Sequence, residues 1–386
     1  MLSFCSCDDF NYSFSNDDGH TVMNISDETG TLRLETRGEI TFTDDETAIK
    51  TISDDGYIKY RRNGTKFKAV TNAGGEIVYT INGGDPKTGL DAEEKKILAH
   101  AIKEMINVGY DAKNRVARIY KASGSAGVLS AVDELRNDWV KGQYLEYLVT
   151  NTTINDMEMT TVARKIGDLT SDYDKSRLLQ KISARYLDNE QTTDAYLDAV
   201  NTLGSDYEKE NTLKLIVDQP LTAIQYAKVL TITGNIGSDY NKANVLKQLI
   251  SHGIPSESNT VSFLMATENI GSDYERANVL KAMLEHGVPT GSGYTKFLDV
   301  AGNIGGDYEK GEVLKQLAVC RIASDDDWVN LIKETEKLGG DHDKSDAMIE
   351  IAKHMPKSDK IKAAYMLSAK AITGDYDYGQ AIKAVN

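Results

Sequence analysis

Asp239-Tyr240 stands in "NIGSDYNKANVLKQLI" (235–250), and Asp273-Tyr274 stands in "NIGSDYERANVLKAML" (269–284). A carboxylate beside a phenol, with Lys242 or Arg276 two residues further on, is a set of groups able to pass protons. The same arrangement returns with Asp at 138, 172, 206, 239, 273, 307, 341 and 375, every 34 residues except for one interval of 33. Catalysis needs one distinctive constellation. Near-equivalent copies in register point instead to a unit that must stack on itself.

The residue after each Asp is Trp139, Tyr173, Tyr207, Tyr240, Tyr274, Tyr308, His342 or Tyr376. These aromatic rings are expected to pack between successive units, with the hydroxyl near the edge. The basic residue three after Asp is Lys141, Lys175, Lys209, Lys242, Arg276, Lys310 or Lys344. It reads as a solvated position for ion pairs within a repeat. Its functional counterpart is a basic ridge for an acidic partner, with Lys209, Lys242, Arg276 and Lys310 as candidate partner-binding residues.

Other chemistry finds little footing. The six His (20, 100, 252, 286, 342, 354) form no HExxH, and neither G-x-S-x-G nor G-x-x-x-x-G-K-[ST] occurs. "KASGSAGVLSAV" (121–132) is glycine-rich, but no strand precedes it and no Lys-Ser/Thr completes a phosphate cradle, so it reads as a turn between helices. "SDDDW" (324–328) lacks the Gly and terminal Glu of a calcium loop and reads as a helix cap. No catalytic, cofactor-binding or metal-binding residue is assigned. The expectation is a protein that is not an enzyme.

The elements that carry the repeat follow from its own residues. Asn, Ser or Gly precedes each Asp, all types that cap helix N-termini. Ser205-x-x-Glu208 and Ser272-x-x-Glu275 match the capping box, and Asp in a first turn suits the helix dipole. Seven and ten residues after Asp come apolar pairs such as Leu246/Leu249 and Leu280/Met283, a spacing that lines one helical face. A second helical segment precedes each capped one, for example "AIQYAKVLTIT" or "TVSFLMATEN", and ends in Ile/Leu-Gly, read as a left-handed closing glycine. His252-Gly253 and His286-Gly287 end the following helices. Each unit is therefore a helical hairpin, and a single hairpin cannot bury its stripe alone.

Ahead of the repeats, "TLRLET", "EITFT", "GYIKYRR", "TKFKAVT" and "EIVYTI" alternate in polarity, with Asn63-Gly64 as a two-residue hairpin turn and "NAGG" (72–75) as the next. They predict an antiparallel meander of about five strands, covered by a helix over 91–107. The fold class expected is α+β: a flexible acidic leader (1–30), a small antiparallel β-meander (31–90), then a right-handed α-solenoid of eight to nine 34-residue helical hairpins (91–386). Residues Gly109–Tyr120 read as a degenerate ninth unit.

Composition limits the partners. A net charge of -15 disfavours phosphate backbones and anionic membrane surfaces. No run approaches the ~20 apolar residues of a membrane-spanning helix. Cys5, Cys7 and Cys320 offer neither a disulfide framework nor zinc spacing. "MLSFCSCDDF" reads in two ways: the end of a bacterial lipoprotein signal with Cys7 as the lipidation candidate, or a cytoplasmic N-terminus with two incidental thiols.

The period is similar to that of tetratricopeptide arrays in length and layout only, because the W-x2-L-G-x2-Y pattern is missing. Residues 35–386, with "GEITFTDD", "IKTISDDGYIKY" and repeated "SDYE(K/R)xxVL"-type segments, resemble the extracytoplasmic region of bacterial beta-lactam-receptor-type membrane metallopeptidases and stand-alone proteins sharing it. The resemblance implies a place in the periplasm or cell envelope without protease activity, since the metallopeptidase part has no counterpart here. The expected function is a non-enzymatic scaffold binding a protein or peptide along the solenoid. The alternative is a sensor or regulatory subunit binding a small molecule or glycan where sheet meets solenoid, near Tyr57, Tyr60, Tyr79 and Tyr110. Cofactors are not expected, and oligomeric state is open.

Overall fold

The computed structural model describes residues 2–5, 11–17, 19–27, 30–182 and 184–385. They form two compact units, Met1–Tyr147 and Leu148–Asn386. Residues 91–147 therefore group with the sheet, whereas the sequence assigned them to the repeat array.

In the first unit, seven strands form one antiparallel sheet: β1 (Leu2–Cys5), β2 (Asn11–Asp17), β3 (His20–Asp27), β4 (Gly30–Arg37), β7 (Tyr57–Arg62), β8 (Thr65–Thr71) and β9 (Ile77–Ile81), adjacent in that order. Alternation sets the faces. Met23, Ile25, Leu32, Leu34, Ile58, Tyr60, Phe67 and Ala69 are buried, while Arg33, Lys59 and Lys68 between them face out. Asn63 and Gly64 both take positive φ, 48° and 82°, as a two-residue turn between β7 and β8 requires.

Two expectations about this region fail. Residues 11–17 and 20–27 are paired strands rather than a flexible leader: β3 pairs with β4 along its whole length, because Met23 and Ile25 alternate in phase with Leu34 and Leu32. "EITFT" leaves the meander. Its strand β5 (Ile40–Phe42) pairs with β6 (Ile49–Ile52) in a separate two-stranded sheet, and β4 joins β7 directly.

The helix α1 (Ala92–Asn107) starts at a full capping box, Asp91 with Glu94. It buries Leu98, Ala101, Ile102 and Met105. Arg62, on the buried face of β7, pairs with Glu104 of α1 at 2.7 Å, which sets the helix against that face. The glycine-rich 121–132 segment is helical within α2 (Ala112–Glu134), interrupted only where Gly124 takes φ +64°. α3 (Asp138–Asn151) begins at the first repeat Asp.

The second unit continues with α4 (Asp156–Gly167), α5 (Asp172–Leu179), α6 (Ala184–Leu187), α7 (Glu190–Asn201), α8 (Asp206–Val217), α9 (Ala223–Gly234), α10 (Asp239–Ser251), α11 (Glu257–Glu268) and α12 (Asp273–His286). Then follow α13 (Gly291–Gly302), α14 (Asp307–Val319), α15 (Asp325–Glu334), α16 (Asp341–His354), α17 (Asp359–Ser368) and α18 (Asp375–Val385). Every repeat Asp is the first residue of its helix. The Asp-initiated helices α5, α8, α10, α12, α14, α16 and α18 pack each on the next, and α4, α7, α9, α11, α13, α15 and α17 form the companion row. This is the predicted array of helical hairpins.

Leu213, Leu246, Leu280 and Leu314, with Ile216, Leu249, Met283 and Leu317, are all buried between rows. Each such side chain contributes roughly 1.5–3 kcal/mol. Ser324 caps α15, as read from "SDDDW". Among the described residues, no helix is long and apolar enough to cross a membrane.

Candidate functional site

The repeat motif resolves into three jobs, and only one of them faces solvent. The first belongs to the capping serine. Ser171, Ser205, Ser238 and Ser272 each accept a hydrogen bond from the backbone N–H three residues on. The reciprocal arm of the expected capping boxes at Ser205 and Ser272 is not made, because the cap N–H is already engaged. Ser205 N–H donates to Asp172 Oδ2 at 2.7 Å, and Ser272 N–H donates to Asp239 Oδ2 at 2.8 Å.

Asp thus does more than start its own helix. Gly204, Gly237 and Gly271 also donate their backbone N–H to the Asp of the preceding repeat, at 2.8, 3.0 and 2.9 Å. Asp273, Asp307 and Asp341 repeat the contact with Gly306, Gly340 and Gly374. A carboxylate in front of helix-opening N–H groups is a favourable electrostatic arrangement. It also corrects the reason for the glycine. Gly271 does not have a left-handed φ; a Cβ there would lie 3.1 Å from Asp239 Oδ2.

The basic residue takes the second job and is not a ridge. Lys209, Lys242 and Lys310 are buried, and the Arg276 side chain is 12% exposed. Lys242 Nζ donates to the Asn269 carbonyl at 3.0 Å, Arg276 to Asn303 at 2.9 Å, and Lys310 to Lys337 at 3.1 Å. Asn269 and Asn303 are the C-caps of α11 and α13, so the cation meets the negative end of a helix in the next repeat. Asp239 and Lys242 together hold both sides of one loop, Asn269 to Ser272. Lys242, Arg276 and Lys310 thus offer no free cation to a partner, and Lys209 is buried.

The aromatic residue is left for the third. Tyr173, Tyr207, Tyr240, Tyr274, Tyr308 and Tyr376 are 62 to 75% exposed, not packed between units. Helical phase gives the reason. At about 100° per residue, the position after Asp lies ~120° and ~180° from the two core positions, whereas the basic position lies within about 40° of both. His342, at the same place in its repeat, is likewise exposed.

Half-buried acids flank the rings one residue on: Asp174, Glu208, Glu275, Glu309, Asp343 and Asp377, with Asn241 the exception. Where α5 stops short, Tyr173, Arg177, Gln180, Lys181 and Glu208 line a hollow of about 400 Å³. The result is a periodic row of tyrosines alternating with carboxylates.

The tyrosines expected to share a ligand pocket are not brought together. Tyr57 is on the outward face of β7, its hydroxyl donating to Glu35 at 2.5 Å. Tyr60 is on the opposite, buried face, stacked on Phe67, and burial pushes its phenol up to about 12. Tyr79 is buried on β9, and Tyr110 meets Phe42 edge-on.

A cavity of about 370 Å³ in the first unit is lined by other residues, among them Glu46, His100, Lys103, Asn107 and Arg115. Arg115 holds Glu46 through two hydrogen bonds and donates to Tyr144 Oη at 2.7 Å. The Arg115–Glu46 pair is already self-neutralised. Cys7 lies outside the described residues. No protein-family model matches the chain, and no curated protein matches it.

Proposed function

We propose that this chain is a non-enzymatic interaction scaffold whose helical array presents the tyrosine row to a protein or peptide partner. The observation that carries this reading is the split within the motif. Asp, the basic residue and the apolar pair are consumed in stacking, while a large aromatic side chain at the same place in repeat after repeat is left in solvent. Single exposed rings are ordinary on a protein surface, but here they return at one place in successive repeats, which makes them a periodic set. Tyrosine is a frequent anchor in such surfaces. The resemblance of residues 35–386 to bacterial extracytoplasmic repeat regions supports a site of action at the cell envelope.

A photo-crosslinking amino acid placed at Tyr207, Tyr240 and Tyr274 in turn, in the source cells, tests the reading. One partner captured from all three positions, and not from the exposed control Ile224, is expected. Absence of any crosslink from the row would sink it. A second reading, small-molecule sensing, is favoured only by the 370 Å³ cavity of the first unit, which falls in the size range of ligand pockets. A metabolite library raising the melting temperature of the full chain, but not of an Arg115→Met variant, would support it.

A further inference from the structure

We propose that the outward face of the first unit's sheet binds an anionic lipid surface through Arg33, Arg37, Arg61, Lys66 and Lys68. Strand register puts these cations together. β4, β7 and β8 are neighbours in the sheet, and on their solvent side Arg33 stands opposite Arg61, which stands opposite Lys66. Two residues along, Glu35 faces Lys59, which faces Lys68; two further, Arg37 faces Tyr57. At about 4.8 Å between strands and ~6.8 Å between side chains of one face, the group covers roughly 10 Å by 13 Å.

One carboxylate enters this patch, and its neighbours already satisfy it. Glu35 accepts from Lys59 at 2.8 Å and from the Tyr57 hydroxyl at 2.5 Å, with His20 Nε2 3.5 Å away. The other five cations are exposed, and among the described residues their side chains have no ion pair or hydrogen bond. Val22 and Asn24 on β3, and Val78 and Thr80 on β9, flank the patch without charge. Like charges directly opposite on neighbouring strands are destabilising. Arg33, Arg61 and Lys66 meet that way twice in one rank, which counts against stability until an anion lies over them.

Three features favour a lipid surface over other polyanions. The cations spread in two dimensions instead of lining a track, and clusters of about four to eight Lys/Arg are what anionic lipids attract. β4, β7 and β8 are each paired on both sides, so an acidic peptide finds no open strand edge to extend. Single-stranded nucleic acid needs bare rings for stacking, and Tyr57, the one aromatic at an outward position of these three strands, has Lys59 Nζ 4.4 Å above its ring centre. The net charge of -15 does not prevent the contact. At about 0.15 M salt, charges more than roughly 8 Å away are largely screened, so a membrane meets the face and not the sum.

The probe is a vesicle of phosphatidylcholine with about a third phosphatidylglycerol, co-sedimented with the full chain at about 0.15 M salt. Binding that is lost at high salt is expected, at least tenfold tighter than to phosphatidylcholine alone. The variant Arg33→Gln/Arg61→Gln/Lys66→Gln should lose at least tenfold in vesicle affinity. Its melting temperature should equal or exceed the parent's, since repulsion within the rank is removed. Lys50→Gln/Lys95→Gln/Lys113→Gln removes as much charge from exposed positions of the same unit and should change affinity less than twofold. No binding to the anionic vesicle, equal binding to the neutral one, or equal loss in both triple variants would overturn the proposal. So would an oligoglutamate peptide or an oligouridylate bound where the vesicle is not, which would give the face to an acidic protein or to a nucleic acid. The cations lie on the sheet and the tyrosine row on the helical array, so failure here leaves the scaffold reading standing.

Discussion

Asp239 Oδ2 accepts a 2.8 Å hydrogen bond from the backbone N–H of Ser272, the residue that caps the equivalent helix one repeat later. A motif residue in one hairpin is thereby a structural part of the next. Stability in a stacked array is a sum of unit and interface terms, and this contact belongs to the interface.

Asp239→Ala removes the acceptor for two backbone donors, Gly271 and Ser272. Leaving the part-buried Ser272 donor unpaired costs about 1–3 kcal/mol, whereas the exposed Gly271 donor can turn to water, so urea unfolding should show a loss of about that size. Gly271→Ala should destabilise through the same contact, since its Cβ would press on Asp239 Oδ2 at 3.1 Å. The double variant should lose less than the sum of the two.

Lys242→Met keeps the buried stem and deletes the ammonium that meets the Asn269 carbonyl. A hydrogen bond to a charged group is worth roughly 1.5–3 kcal/mol, and a stability loss within that range is expected. Capture of the partner should be unchanged where the variant is folded. A selective loss of capture at unchanged stability would restore the basic-ridge role that burial argues against.

Tyr226 and Tyr294 hold equivalent places, thirteen residues before Asp239 and Asp307. Tyr294 Oη donates to the Asp327 carbonyl at 2.8 Å, whereas Tyr226 Oη is buried with no hydrogen-bond partner among the described residues. Phe at each should act in opposite directions. Tyr226→Phe removes an unsatisfied hydroxyl and should raise stability by about 1 kcal/mol, while Tyr294→Phe should lower it by about as much. Thermal melts of the two variants side by side decide this.

Acid should loosen the C-terminal repeats. Hydrogen bonds from the backbone of Gly339 and then Gly340 hold Asp307 below the usual Asp range. For Asp341 the main cause is the Thr373 side chain, followed by the Thr373 and Gly374 backbone. A folded-state pKa below the unfolded value contributes stability that is complete above the unfolded pKa, about 3.9. That stability is lost as pH falls from there through the depressed value. Urea midpoints should therefore drop more steeply below about pH 4 in the parent than in Asp307→Asn/Asp341→Asn.

Periodicity alone carried much of this protein. The 34-residue recurrence of Asp, the capping types before it and the apolar pair at seven and ten residues were enough to place all eight Asp-initiated helices and their hairpin packing. Local turn chemistry at Asn63-Gly64 and the cap at Asp91 were equally legible, because the residues that cause them are neighbours in the chain. The leader was misread since strands Asn11–Asp17 and His20–Asp27 are polar in composition and gain their order from pairing across the sheet.

For the candidate site, residue type misled where helical phase would have been right. A tyrosine was expected inside and a lysine outside, yet the phase relative to Leu246 and Leu249 turns Tyr240 to solvent and Lys242 to the core. What sequence could not supply was the use to which the buried polar groups are put. Asp239 meets Ser272 and Lys242 meets Asn269 across a gap of about thirty residues, and contacts of that kind exist only once one hairpin is stacked on the next. Spacing within a helix fixes which residues share a face; only packing between helices decides what that face meets.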